Sequence, residues 1–560
     1  MKLPIPLFLI LLLVMIFSCK KENPDVNDPV SADTTLHEEP DDYIWDAQSV
    51  HTIELLETTA STDAQGVTIN GNIVIINSTG NYRITGNLQG SILVTTDTSS
   101  LVRLILDNAV IENPSGPAIL IESIKKAIIN LAEGSQNSLT DGTTYIGQEP
   151  EVNSTLFSKS NLTIFGEGSL NVKGNFEDAV TSKDGLILKS GNVSINSVDE
   201  GIRGKDYLVI MGGELTIDAG GNGIVADNKA SIYTGFVKIE NGNITISALG
   251  DGIAANYSVT STGGTINIES GEGSSVPPSV DKSTKGIKGL MKVTLAFNNC
   301  IINSSDDGIH SNGEVEIKSG NYSISTADDA IHANSAIVVE NGTIIVSKSN
   351  EGFESKIITV NDGSLNITSS DDTFNATAGS ATEQDDHSYV YFNGGYVVLN
   401  ATKGDALDSN GSIQLNAGTV IVHGTDEDPE VAIDYNGVFN INGGFLVASG
   451  TGSNMVKAPS SSSIQHSLII TFQSSYPSST LFHLSDAVGN TVITFKPERK
   501  FQSIIFSSAQ LKDQNTYYLY TGGSSSGNFI DGVDSGGTYT AGNLRKEFTI
   551  SSMVTTLNNI

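Results

Sequence analysis

Cysteine is nearly missing from this chain. Its two examples, Cys19 and Cys300, stand far apart and do not read as a pair. A disulfide framework and a thiolate zinc centre are therefore both excluded as sources of stability. Basic residues are also few: 30 Lys and Arg face 63 Asp and Glu, a net charge of −33 at pH 7. Nucleic-acid binding needs a Lys/Arg footprint and is ruled out, as is unaided binding of any polyanion. Strong helix formers are scarce, and no long apolar face recurs with a 3.6-residue period. After the N-terminus no apolar run is long enough to cross a bilayer. Nucleophilic triads and phosphate-cradling glycine loops are not evident either. What is abundant is Gly, Asn, Ser, Thr, Ile and Val in short alternating runs such as Val193-Ser194-Ile195 and Ile244-Thr245-Ile246. That is strand chemistry divided by turn chemistry.

The N-terminus carries an export pattern. Lys2 precedes an apolar stretch from Leu3 to Phe17, and Ile16-Phe17-Ser18-Cys19 fits a bacterial lipobox, with Phe17 atypical. The expectation is a signal peptide at 1–18, lipid attachment at Cys19 and a polar tether over 19–48. This makes the protein an outer-membrane lipoprotein on the cell-surface or periplasmic face, tethered to the membrane by its anchor.

Two motifs then alternate at a fixed phase. One is an acidic or polar pair, a small residue and an apolar residue, as in Asp306-Asp307-Gly308-Ile309 and Asp328-Asp329-Ala330-Ile331. Its second position falls at Asp178, Glu200, Asn222, Asp251, Lys285, Asp307, Asp329, Glu351, Asp372 and Asp405, with spacings of 22, 22, 29, 34, 22, 22, 22, 21 and 33. The other is a glycine turn before a strand, as in Gly320-Asn321-Tyr322 and Gly342-Thr343-Ile344, usually nine residues ahead of the acidic position. A 22-residue period with a few insertions is one coil of a parallel β-helix, three short strands joined by turns. The all-β solenoid is assigned to 49–457, Ser460–Ser463 to a linker, and 464–560 to a small C-terminal β domain that caps the open end. The same register places Cys300, Phe353 and Phe374 in the core.

Equivalent positions on successive coils lie about 4.8 Å apart. Asp307, Asp329, Glu351 and Asp372 would form one column, with Asp306, Asp328 and Asp371 beside it. Two carboxylates at that spacing repel by roughly 3–4 kcal/mol at an effective dielectric near 20, so the column calls for cations. Calcium suits it, since oxygen ligands at about 2.3–2.6 Å let one ion bridge two rungs. Asp405 continues the series, and Glu354, Asn375 and Asp408 occupy an outward slot that can complete the shell. His310 and His332 share that slot and are expected to hydrogen-bond to the carboxylates, raising the histidine pKa values. Asn222 and Lys285 depart from the acidic pattern, which puts calcium there in doubt. The alternative is that the Asp and Asn residues are turn formers on a wet face.

Asp306-Asp307-Gly308-Ile309-His310-Ser311-Asn312-Gly313, Leu162-Thr163-Ile164-Phe165-Gly166-Glu167-Gly168, Asp405-Ala406-Leu407-Asp408-Ser409-Asn410-Gly411 and Tyr518-Leu519-Tyr520-Thr521-Gly522-Gly523 together resemble a bacterial family of calcium-binding β-helix proteins labelled carbohydrate-binding domain-containing proteins. The resemblance runs from about Ser61 to Thr556. It implies a right-handed parallel β-helix shaped like polysaccharide lyases, bound Ca2+ on the acidic pairs, and binding of acidic polysaccharide such as polygalacturonate without established lyase activity. The leading expectation is thus a monomeric, non-catalytic, calcium-dependent binder of acidic polysaccharide. A calcium-assisted lyase is the second reading, with Lys183, Arg203, Lys205, Lys288 or Lys356 as the base. A structural surface stalk or adhesin is the third.

Overall fold

The glycine turn and the acidic motif divide each coil into three strands. In one coil these are Ile309–Ser311, Glu314–Ile317 and Asn321–Thr326, and the next coil begins at Ile331–Ala333. Each strand pairs in parallel with its equivalent one coil on: Ile309 with Ile331, Val315 with Ile337, Tyr322 with Ile344. The computed structural model describes residues 36–379 and 384–560, and among these it contains no α-helix. The result is a parallel β-helix. Its acidic-motif strands form a ladder of fifteen, from Val67–Asn70 to Leu407–Ser409. The other two ladders are merged by the long strand Leu101–Asn113, which pairs with both Lys126–Leu131 and Gln136–Asp141.

Alternation decides what faces inward. Asn243–Ala248 alternates exposed and buried positions along its whole length, putting Ile244, Ile246 and Ala248 inside. Stacked coils repeat the same choice, so like side chains lie over like. Phe353, Phe374 and Phe392 form a fully buried stack with centroid separations of 4.9 and 5.9 Å. Cys300 is buried between Ile266 and Tyr322 of the adjoining coils, and burial pushes its thiol pKa up, which makes it inert. The turn glycine is required at Gly342: its φ is +127°, and a Cβ there would lie 2.9 Å from the carbonyl oxygen of Gly320.

Residues 37–48, assigned to the tether from the sequence, instead lie along the coils. Asp42 pairs with Lys126 at 2.6 Å, both fully buried, Glu38 pairs with Lys189, and Tyr43 and Trp45 pack on Phe165. Such a buried pair is held only by partners on both sides, a constraint that composition alone does not reveal. The signal sequence, Cys19 and the start of the tether lie outside the described residues.

At the other end, the strand Phe445–Gly450 pairs antiparallel with Phe501–Ser507, so the coil sheet runs on into the C-terminal module. Val398, Ile421 and Val447, outward-facing on the last coils, share a second core with Phe472, Phe482, Phe506 and Leu519 of the module. The stretch read as a linker is itself bonded to the last coil, Ser460 N–H donating to the Phe439 carbonyl at 2.7 Å. Coils and module form one compact unit from His37 to Ile560.

Candidate metal centre

The acidic motif has a structural task before any chemical one. On coil after coil, a side-chain oxygen of the second motif residue accepts the N–H of its counterpart on the next coil. Asn222 N donates to Glu200 Oε2 at 2.6 Å, Asp251 N to Asn222 Oδ1 at 2.7 Å, and Lys285 N to Asp251 Oδ1 at 2.8 Å. Asp405 N and Val431 N continue this with Asp372 Oδ1 at 2.7 Å and Asp405 Oδ1 at 2.5 Å. The small residue that follows lets coils approach: a Cβ on Gly308 would sit 2.6 Å from the Ala330 carbonyl oxygen. Asn222 fits this series because its amide keeps the acceptor while losing the charge. Where an Asp or Glu makes this bond, one carboxylate oxygen is committed to the fold, leaving the other for a cation.

The expected column is divided into three groups, each with ligand atoms within 4.8 Å of one another: Asp306, Asp307 and Asp328; Asp329, His332 and Glu354; Asp405, Asp408 and Asp434. Glu351, Asp371 and Asp372 fall in none of them. Glu351 Oε2 accepts from Asn375 Nδ2 at 3.0 Å, and Asp371 is exposed. Asp434 is the residue that the sequence pattern missed. Its signal was present, since Ala432-Ile433-Asp434 repeats Ala406-Leu407-Asp408 one coil later, and Leu407 bridges Ile433. Val431 at the second motif position hid the match.

The groups differ in the charge already inside them. In the first, Lys285 Nζ lies 2.6 Å from Asp306 Oδ1 and 2.7 Å from Asp307 Oδ2, and His310 Nδ1 is 2.7 Å from the latter oxygen. Burial alone would raise the Asp307 pKa, but His310 and Lys285 together hold it down to about 2. The residue that breaks the acidic pattern is therefore a built-in cation. In the second group, His332 Nδ1 sits 2.7 Å from Glu354 and 3.3 Å from Asp329, while Nε2 faces Asn334 Oδ1 at 3.0 Å. Both ring nitrogens meet acceptors. Burial opposes the charge on His332, yet Asp329 and Glu354 raise its pKa to about 11. The two histidines stack at 5.0 Å, as their shared slot requires.

The third group has only oxygen donors. Burial, reinforced by the neighbouring carboxylates, raises Asp405 and Asp408 to about 8. The nearest cation is Lys457, 2.5 Å from Asp434 Oδ1 and bonded also to the Tyr435 carbonyl. One coil below, Asn375 Oδ1 is a buried carbonyl oxygen with no donor. Three carboxylates with a neutral oxygen beside them match the hard, all-oxygen preference of calcium, whereas the histidine in the second group does not.

The five candidate bases stand apart from these groups. Arg203 is locked to Asp178 at 2.9 Å, Asp227 at 2.5 Å and Glu200 at 3.3 Å. Lys288 pairs with Asp251 at 3.5 Å, Lys183 lies over the Phe157 ring at 5.2 Å, and Lys205 and Lys356 are exposed. The ion pairs leave Arg203 and Lys288 as charge partners of the rungs.

A family model described as carbohydrate-binding domain-containing protein matches residues 70–330 and 327–471. The chain belongs to this family. A curated relative of the same description, from Acetivibrio thermocellus, is 30% identical over 139 residues, 24% of this chain and 49% of that protein. The chain thus spans about half the length of the curated relative it matches. A solved structure described as the polysaccharide lyase-like protein from C. thermocellum, in a gadolinium derivative, aligns with a TM-score of 0.40 and 27% identity, over 43% of this chain and 96% of that one.

Lys285 offers a direct test of the resident-cation assignment. Replacing it with Met strands two buried carboxylates, and K285M is expected to lose about 3 kcal/mol of stability in chelator at pH 7. Denaturant unfolding with and without calcium measures this. Stability equal to that of the unaltered protein would show that the ammonium neutralises nothing.

Proposed function

We propose that this family member is a non-catalytic, calcium-dependent binder of acidic polysaccharide, monomeric and anchored through Cys19 as an outer-membrane lipoprotein. The observation that supports this most is the third acidic group. Three carboxylates from two coils converge with one edge lysine for charge balance, on the ladder that carries the whole acidic series. Asp405, Asp408 and Asp434 would hold the ion, and Asn375 lies one coil away to add a neutral oxygen. A bound calcium supplies positive charge to a protein of −33 and gives a uronate carboxylate something to meet. The protein's own residues fix the spacing: the rung hydrogen bonds hold one oxygen of Asp405, and the stacked Leu407 and Ile433 set the height of Asp408 against Asp434.

Pull-down on polygalacturonate with calcium, then with EGTA, tests the reading. Retention with calcium and release by EGTA are expected. A steady rise of ultraviolet absorbance from unsaturated product would replace binding by lyase chemistry. Failure to bind any acidic glycan would favour a surface stalk.

A further inference from the structure

The outward slot of the acidic-motif ladder is a column of ten rungs: Thr181, Arg203, Val225, Ala254, Lys288, His310, His332, Glu354, Asn375 and Asp408 in register. Nearly every rung is large or polar. Val225 and Ala254 are the exception, a notch two rungs wide between Arg203 and Lys288. Those two cationic residues stand three rungs apart, about 14 Å along the axis. Above the notch lies a cleft of about 570 Å³, within the roughly 300–1,000 Å³ of ligand pockets.

The walls of this cleft come from two of the coils that depart from the 22-residue period. The coil spaced by 29 residues adds Lys229, and the coil spaced by 34 adds Asp281, Lys282 and Ser283. Lys282 Nζ reaches back to the Gly220 carbonyl at 3.0 Å, drawing the longer insertion across the cleft. In solenoids, insertions on one face mark the binding face. Two of the four cations here are already paired with carboxylates. Arg203 is held by three carboxylates, and Lys288 by Asp251 and by Ser283 Oγ at 3.0 Å. Five acidic and four basic side chains line the cleft, so it offers no net attraction to an anion. What it presents is a small apolar floor ringed by hydrogen-bond donors and acceptors, complementary to the ring faces and hydroxyls of uncharged sugar.

We propose that this cleft is a second saccharide subsite, taking a neutral stretch of about three sugar residues along the helix axis without metal. It rests on the carbohydrate-binding reading but not on calcium. The slot admits Arg, Lys and His on other rungs, so A254R is tolerated by the coil and fills the notch. Titration calorimetry in EGTA would use xylotriose, cellotriose and fully methyl-esterified trigalacturonate, with trigalacturonate as the charged counterpart. At least one neutral probe is expected to bind in EGTA, more tightly than trigalacturonate and unchanged by calcium. A254R should weaken it about tenfold or more while its melting temperature stays the same. Should A254R fail to fold, K282A on the exposed insertion is expected to weaken the same probe. No neutral binding in EGTA, binding that needs calcium, or full affinity in a folded variant would overturn the subsite. Polygalacturonate pull-down with calcium on A254R separates the two readings: its retention alongside lost neutral binding locates the uronate site elsewhere.

Discussion

Chelation is expected to destabilise the protein strongly at pH 8.5 and hardly at all at pH 5. Glu351 is raised to about 9, Asp405 and Asp408 to about 8, and Asp372 and Asp329 to about 7, with burial the largest cause in each and neighbouring carboxylates adding to it. Unfolded, such groups ionise near pH 4. A carboxyl raised on folding contributes stability that is complete below about pH 4 and is lost as pH rises through the folded value. His332, raised to about 11, acts in the same direction above pH 6.5. Asp307, held at about 2, acts oppositely but only below pH 4, outside this window. Each pH unit of displacement is worth about 1.4 kcal/mol per group, so the metal-free protein should lose several kcal/mol between pH 5 and 8.5. Calcium binds the ionised form and cancels that loss. Thermal unfolding at the two pH values, with calcium and with EGTA, measures it. A calcium-induced gain that is the same at pH 5 as at pH 8.5 would remove the carboxylate column as the metal's seat.

What was legible in the sequence was whatever the 22-residue register repeats. The strand ladders, the buried Phe353, Phe374 and Cys300, and the outward pairing of His310 with His332 follow from counting, because a solenoid places equal sequence positions at equal heights. What was not legible depends on how far a side chain reaches across that register. Lys285 reads as a gap in an acidic series, yet its long stem carries an ammonium to two aspartates on the next coil. Asp434 lies beyond the last recognisable acidic pair, in a coil whose second position is Val431. The packing of residues 37–48 against Lys126, Lys189 and Phe165 joins segments some 80 to 150 positions apart, which no local period encodes. The coil insertions were visible as odd spacings, but the cleft they wall appears only when coils stack.

Asp408→Asn separates a metal ligand from a turn former, because the two roles predict opposite signs. Asp408 is half-buried beside Asp372, Asp405 and Asp434, and its pKa of about 8 means that folding opposes its ionisation. Asn keeps the size and one carbonyl-type oxygen while removing the charge. In EGTA at pH 7 and above, D408N is therefore expected to be more stable than the unaltered protein by several kcal/mol, and no different below pH 4. With calcium in excess that advantage should shrink by about 1.4 kcal/mol for each tenfold loss of calcium affinity. Loss of one of three carboxylates is expected to weaken calcium at this site about a hundredfold or more, at or above the roughly 10–100-fold that loss of an outer partner costs in many metal sites. Asp434→Asn should weaken calcium likewise, and in that variant Lys457 also loses its ion pair. Calcium titration by calorimetry, alongside denaturant unfolding in EGTA, reads both effects on one preparation. If D408N lowers stability in EGTA and leaves calcium affinity unchanged, Asp408 serves the turn and the ion sits elsewhere on the ladder.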